Sequence, residues 1–196
     1  MRSTGARLDI LEGAAEPEPR RQVRTTALLL VAALLAAGTW TVDHTRRVAE
    51  FDALTRCVQA GETAATYASL RIWARADYIL PAVFRLSPDQ RAGLLTLVSE
   101  AATADTPQLV KAREGCRVEH PQPWHTALGR ARTAYLAYID ARLDVDRAIA
   151  GDGSQVYVQH PDLDDLHDRA VSALVAAAPD AEAARRVRSL LSSTTG

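Results

Sequence analysis

The chain has 196 residues, of which 47% are apolar and 24% are charged, and its formal net charge is −1. This near-neutral charge argues against a nucleic-acid-binding protein, because such proteins usually carry a basic face and a high isoelectric point. The length allows one domain with accessory segments, and the dominance of alanine and leucine over valine and isoleucine favours an all-α fold.

Arginine almost excludes lysine in this chain, where Lys111 is the only lysine. Because the arginines are scattered and not clustered, they do not mark a basic interaction patch. High arginine and alanine contents are typical of GC-rich bacterial coding DNA, so the composition indicates a bacterial protein.

Residues 1–24 form a polar N-terminal tail that contains glycine, proline, glutamate and arginine and only five large apolar side chains. Such a segment cannot bury enough surface to offset the entropy of ordering it, so a disordered tail is predicted. The arginines at its end would lie beside anionic lipid headgroups.

Residues 25–42 contain no charged side chain, and as a helix they would extend about 27 Å, close to the ~30 Å thickness of the hydrocarbon core of a bilayer. Leucines supply most of the insertion energy, and a tryptophan near one end suits the headgroup level. A transmembrane helix is therefore predicted here. The side chains expected to contact lipid are Leu28, Leu29, Leu30, Leu34, Leu35 and Trp40.

Two other interpretations of this segment remain open. A signal peptide would be cleaved near Ala36-Ala37-Gly38, although its N-terminal region would be unusually long and acidic. A buried core helix would need partners on every face, which a small domain hardly provides. The pair Arg20-Arg21 resembles a twin-arginine export signal, but the residues after it continue that signal poorly.

Orientation follows from the arginines that flank the span, since positive charge favours the cytoplasmic side. Their excess before the span is small, and it favours a cytoplasmic tail and a domain of residues 43–196 outside the cell membrane. The flanking arginines are Arg7, Arg20, Arg21 and Arg24 before the span and Arg46, Arg47 and Arg56 after it.

The two cysteines, Cys57 and Cys116, both follow the span. In an oxidising compartment they would pair, and the bridge would close a loop of about 60 residues, which stabilises the fold by roughly 4 kcal/mol in the chain-entropy model. Two unrelated buried thiols are the alternative.

Apolar residues after the span recur mostly at helical spacing. A weak point is expected at Gly61 and a helix end at Pro81, whereas Ser87-Pro88 and Thr106-Pro107 each have the sequence of a helix start. Helices are thus predicted over residues 43–80, 87–103, 106–115, 124–150, 161–178 and 180–191.

Residues 155–159 are the only strand-like piece, and five residues cannot found a sheet. The predicted fold is therefore all-α: one N-terminal transmembrane helix, then an irregular antiparallel bundle of five or six helices.

The acidic cluster Asp164, Asp165 and Asp168 matches the DDxxD pattern with which isoprenoid synthases hold magnesium. The match covers five residues, no second acidic motif accompanies it, and acids are expected in the first turns of a helix that begins at Pro161. A solvated helix terminus explains the cluster better than a metal site does.

Other chemical constellations are weaker still, so no catalytic, cofactor-binding or metal-binding residue is predicted. The histidine spacings match no zinc pattern and suit surface positions, the acids of the 124–150 helix suit a solvated face, and the aromatic side chains suit the core. The residues concerned are His120, His125, His160 and His167, then Asp140, Asp144 and Asp146, and finally Trp73, Trp124, Tyr135 and Tyr138.

The sequence favours a non-enzymatic interaction or structural module that is anchored in the lipid bilayer and binds another membrane or envelope protein. Small-residue faces such as Ala32-x-x-x-Ala36 would also permit a homo-oligomer. The alternatives are a metal-dependent enzyme or ligand binder that uses Asp164, Asp165 and Asp168, and a helical sensor of the cell exterior.

Overall fold

The computed structural model describes residues 19–79, 86–118 and 120–192. Within these ranges the chain forms five α-helices and one 3-10 helix and contains no strand, which confirms the predicted all-α fold. The elements are α1 (Pro19–Ile79), α2 (Pro88–Val118), α3 (Thr126–Gly151), the 3-10 helix (Gly153–Tyr157), α4 (Pro161–Ala177) and α5 (Ala181–Ser192).

The chain divides into two units, Met1–His44 and Thr45–Gly196, and α1 contributes residues to both. In the first unit, the N-terminal part of α1 is long and apolar enough to cross a membrane. Its large side chains are between 62% and 71% exposed, namely Leu28, Leu29, Leu30, Leu34, Leu35 and Trp40.

Helix α1 begins at Pro19, six residues before the predicted span. Proline is favoured in the first turn of a helix, and a helix that has already formed over the following apolar run extends at low cost. The rest of the predicted tail, residues 1–18, lies outside the described residues, as does the predicted helix end at Pro81.

In the second unit, α1, α2 and α3 alternate in direction, as the predicted antiparallel bundle requires. Helix α4 then packs on α3, and α5 packs on α4. The neighbouring pairs that set these directions are Cys57–Cys116 and Arg71–Asp105 between α1 and α2, and Arg132–Cys116 and Ser99–Ala150 between α3 and α2.

Two apolar clusters fill the second unit. The large cluster joins all five helices around Leu54, Leu109, Tyr135, Leu174 and Leu191. The small cluster lies further along α1, around Ile72, Val98, Ile149 and Val156. Burial of these side chains provides most of the driving force for the fold.

Two helix starts have the capping contacts that their sequences indicate. At α2, the Ser87 hydroxyl accepts from the Gln90 backbone N–H (3.3 Å), while the Gln90 side chain accepts from the Ser87 N–H (3.0 Å). At α5, the Asp180 carboxylate accepts from the Ala183 N–H at 2.7 Å. Both contacts satisfy backbone donors that the first helical turn leaves without partners.

The predicted break before Pro107 is wrong, since α2 continues through this residue. Ala102 and Leu109 are fully buried on either side of it, and the Thr106 hydroxyl donates to the Ala102 carbonyl at 2.8 Å. Packing on both sides thus outweighs the cost of an interior proline, which is about 3 kcal/mol in an isolated helix.

The strand-like residues 155–159 are not a strand, because residues 153–157 form the 3-10 helix. The Asp152 carboxylate accepts from the Ser154 N–H at 2.9 Å, a local contact that favours a tight turn over extended chain. The side chain of Val156 is buried in the small cluster.

Candidate functional site

A layer of polar side chains lies between the two apolar clusters, and we call it the polar layer. Ser69 of α1, Asp105 of α2 and Arg142 and Asp146 of α3 each fall, along their own helix, where the large cluster gives way to the small one. Asp105 and Asp146 are 4% and 0% exposed. Buried charges of this kind require partners, because removing them from water is costly.

Arginines provide those partners. Arg142 lies 3.3 Å from Asp146, one turn along α3, and its guanidinium also donates to the Ser69 hydroxyl. Arg71 pairs with Asp105 at 2.7 Å. Burial raises the pKa of the Asp146 carboxyl, while Arg142 lowers it and Asp105 raises it further.

A pocket of about 670 Å³ opens beside the polar layer, and we call it the side pocket. Its volume falls within the usual range of small-molecule sites, about 300–1,000 Å³. Elements α1, α3, the 3-10 helix and α4 all contribute to its walls. The apolar part of the lining includes Ile72, Ile149 and Val156 of the small cluster, and the charged part includes Arg142 and Asp164.

His160 also lines the side pocket, immediately before α4. Its Nε2 atom is shielded from solvent and has no hydrogen-bond partner among the described residues.

Tyr135 and Tyr138 are buried in the large cluster, as predicted for core aromatic residues. The Tyr135 hydroxyl donates to the Val58 carbonyl at 3.1 Å. Burial, followed by the nearby Glu62 carboxylate, raises the pKa of both phenols above their ordinary value. Both therefore stay protonated near neutral pH and are structural residues.

Trp73 and Trp124 do not follow that prediction, because they are 44% and 60% exposed. Trp73 forms part of the rim of the side pocket, and Trp124 precedes the first residue of α3. The prediction failed because helical spacing places a residue on a face but does not fix how far the neighbouring element extends over it.

The acidic cluster of α4 is divided between two surfaces. Asp164 lines the side pocket, whereas Asp165 and Asp168 line a separate shallow depression and are 72% and 86% exposed. Within the part of the chain that the structure describes, no three His, Cys, Asp or Glu side chains are grouped so that they could hold a metal ion.

The acids of α3 pair with different arginines. Asp140 pairs with Arg113, and Asp144 with Arg147 at 3.1 Å. Asp146 is fully buried, so the prediction that all three acids share one solvated face is wrong for it. The available signal was Arg142, which precedes Asp146 by four residues and therefore lies on the same side of α3.

Of the four histidines, His120 is exposed as predicted, whereas the other three are partly or fully buried. His125 is buried, and its Nδ1 lies 2.6 Å from the Glu50 carboxylate. His167 packs edge-on against Tyr138, with ring centroids 5.1 Å apart.

Cys57 and Cys116 lie at disulfide-bonding distance, with their Cα atoms 5.2 Å apart. This separation falls within the range that disulfides adopt. A bond between them would connect α1 to α2, with Cys116 buried in the large cluster and Cys57 packed against it.

The comparisons with known proteins place the chain in no family. No protein-family model, no curated protein and no solved structure matches it significantly.

Proposed function

We propose that this chain is a single-pass membrane protein, anchored by residues 25–42, whose helical domain of residues 43–196 lies outside the cell membrane and acts as a non-enzymatic interaction or structural module. The observation that carries the proposal is the row of exposed leucines on a helix that is long enough to cross a bilayer. Six large apolar side chains facing water would be unfavourable by several kcal/mol, which lipid contact removes.

The cysteine pair supports the outside location of the domain. Disulfides persist in oxidising compartments and are rare in the cytosol, and the geometry of Cys57 and Cys116 permits one. The small arginine excess before the span favours the same orientation.

Topology is testable with an impermeant maleimide and two single changes, Ser3→Cys in the tail and Asp144→Cys on α3. Asp144 suits this test because its side chain is 75% exposed. We expect the reagent to label position 144 in intact cells and position 3 only after lysis. The opposite pattern would reject an outside domain, and unmodified protein serves as the control because paired cysteines do not react.

An interaction role requires a partner. Crosslinking in intact cells, followed by purification of the full chain, should yield a discrete larger species that contains either a second copy or another envelope protein. Recovery of monomer alone, while a known membrane complex is captured in the same cells, would argue against the interaction role and leave the topology result unaffected.

A further inference from the structure

The charges around the side pocket do not balance. Arg142 lies 3.3 Å from Asp146, so its positive charge is compensated within the polar layer. Asp164 also lines the pocket, and it forms no ion pair with another described residue. The pocket therefore presents one carboxylate whose charge remains available to a ligand.

The start of α4 carries a partial positive charge of about half a unit, which would favour an anion. Two carboxylates of its first turn, Asp162 and Asp164, outweigh this partial charge. The local field consequently favours a cation.

The rest of the pocket suits an apolar body. Trp73 and Tyr157 both line it and are partly exposed, and Ile72, Ile149 and Val156 form an aliphatic wall. The faces of indole and phenol rings attract cations, most strongly where water is partly excluded. A purely hydrophilic cation would leave the aliphatic wall without contacts.

We propose that the side pocket binds a small organic ammonium ion with an aromatic or aliphatic body, whose positive group contacts Asp164. All residues that line the side pocket belong to the second unit, so ligand binding does not require the membrane span.

The test is isothermal titration calorimetry of the full chain in detergent micelles with 2-phenylethylammonium. Two probes of the same shape, neutral 2-phenylethanol and anionic 3-phenylpropanoate, separate charge recognition from hydrophobic partitioning. We expect saturable binding of the ammonium ion and at least about tenfold weaker binding of the other two probes.

Neighbouring acids of α4 provide a matched pair of variants. Asp164→Asn should weaken ammonium binding by about tenfold, whereas Asp165→Asn, which removes the same charge one position away and outside the pocket, should leave it unchanged. A second pocket variant, Trp73→Leu, should weaken binding by about threefold through loss of the aromatic face.

Three results would overturn the proposal: no saturable binding up to about 10 mM ammonium ion, binding of the neutral alcohol as tight as that of the ammonium ion, or equal losses in the two Asp variants. Melting curves of each variant in the same micelles test whether the chain remains folded. We expect no loss of folding, because the Asp164 and Asp165 side chains both lie at the surface.

Discussion

At the scale of single residues, the packing of α1 against α3 depends on Gly61. The residue is buried, and a Cβ atom there would collide with the Tyr135 hydroxyl and lie 3.4 Å from Ile139 Cδ1. We expect Gly61→Ala to lower the free energy of unfolding by about 1–3 kcal/mol, because overpacking a core displaces side chains. Urea melts followed by circular dichroism measure the change.

Gly129 is the matched control for this substitution. It also lies within a helix, but an added Cβ meets nothing within 4 Å, so Gly129→Ala should stabilise the fold by about 0.5–1 kcal/mol. Adding Tyr135→Phe to Gly61→Ala should recover part of the loss, since the colliding oxygen is then absent. Equal effects of the two glycine substitutions would contradict the close approach of α1 and α3.

The buried carboxyl of Asp146 makes the free energy of unfolding depend on pH in a predictable direction. Burial raises the pKa of its carboxyl above the ordinary 3.8, so the protonated form favours the folded state. The resulting stabilisation is fully present below the pKa that this carboxyl has in the unfolded chain. It is lost as the pH rises through the pKa of the carboxyl in the folded protein. Asp146→Asn cannot ionise. The stability of that variant relative to the wild type should therefore increase as pH rises above about 4.

The two proteins are compared by urea melts at several pH values between about 3 and 7. The other carboxylates titrate in both proteins, so their contributions to stability cancel in the difference. Asp144→Asn removes the same charge from an exposed position on α3 and controls for the change in net charge. A difference between Asp146→Asn and wild type that stays constant over the whole range would show that Asp146 is not a buried carboxyl.

Sequence patterns did not identify the roles of these two residues. The sequence indicates a weak point of a helix at Gly61 and a solvated face at Asp146. In the structure, the role of Gly61 comes from its contact with Tyr135, and that of Asp146 comes from the burial of its carboxyl. Helical spacing reports the face of one helix, and it does not report what covers that face.

At the scale of elements, the link between α1 and α2 depends on Cys57 and Cys116. Changing both to serine should lower the free energy of unfolding by about 4 kcal/mol. Without the bond between these two residues, which are 59 positions apart, the unfolded chain gains conformational entropy. Thermal melts with and without a reducing agent measure it.

Reduction should destabilise the wild type and leave the double serine variant unchanged. Wild type that melts at the same temperature under both conditions would show that the two cysteines are not bonded in the purified protein.

Two of the predicted helix starts, Ser87-Pro88 and Pro161, agree with the structure. Their signals are local, because a proline in the first turn favours a helix start wherever the chain is placed. The start predicted at Thr106-Pro107 is wrong, because burial of Ala102 and Leu109 on either side outweighs the local preference. A local start signal is therefore decisive only where packing does not continue the helix through it.

At the scale of the whole molecule, composition and periodicity were sufficient for the all-α fold. The side pocket was not predictable, because its walls come from α1, α3 and α4, and only packing brings Trp73, Arg142 and Asp164 to one cavity. The DDxxD pattern grouped Asp164 with Asp165 and Asp168, but in the structure the latter two line another surface.

Anchoring in the bilayer is the claim on which the proposed function depends. A variant that carries Leu30→Arg and Leu34→Arg places two charges in the span, each costing about 2.5–3.5 kcal/mol at the centre of a bilayer, and serves as the comparison. The two changes replace exposed side chains of α1.

The most direct measurement is extraction of membranes from expressing cells with alkaline carbonate, which removes peripheral proteins and leaves integral ones in the pellet. We expect the full-length wild type to remain in the pellet and a large share of the double arginine variant to be released. Release of the full-length wild type into the supernatant would contradict the membrane anchor.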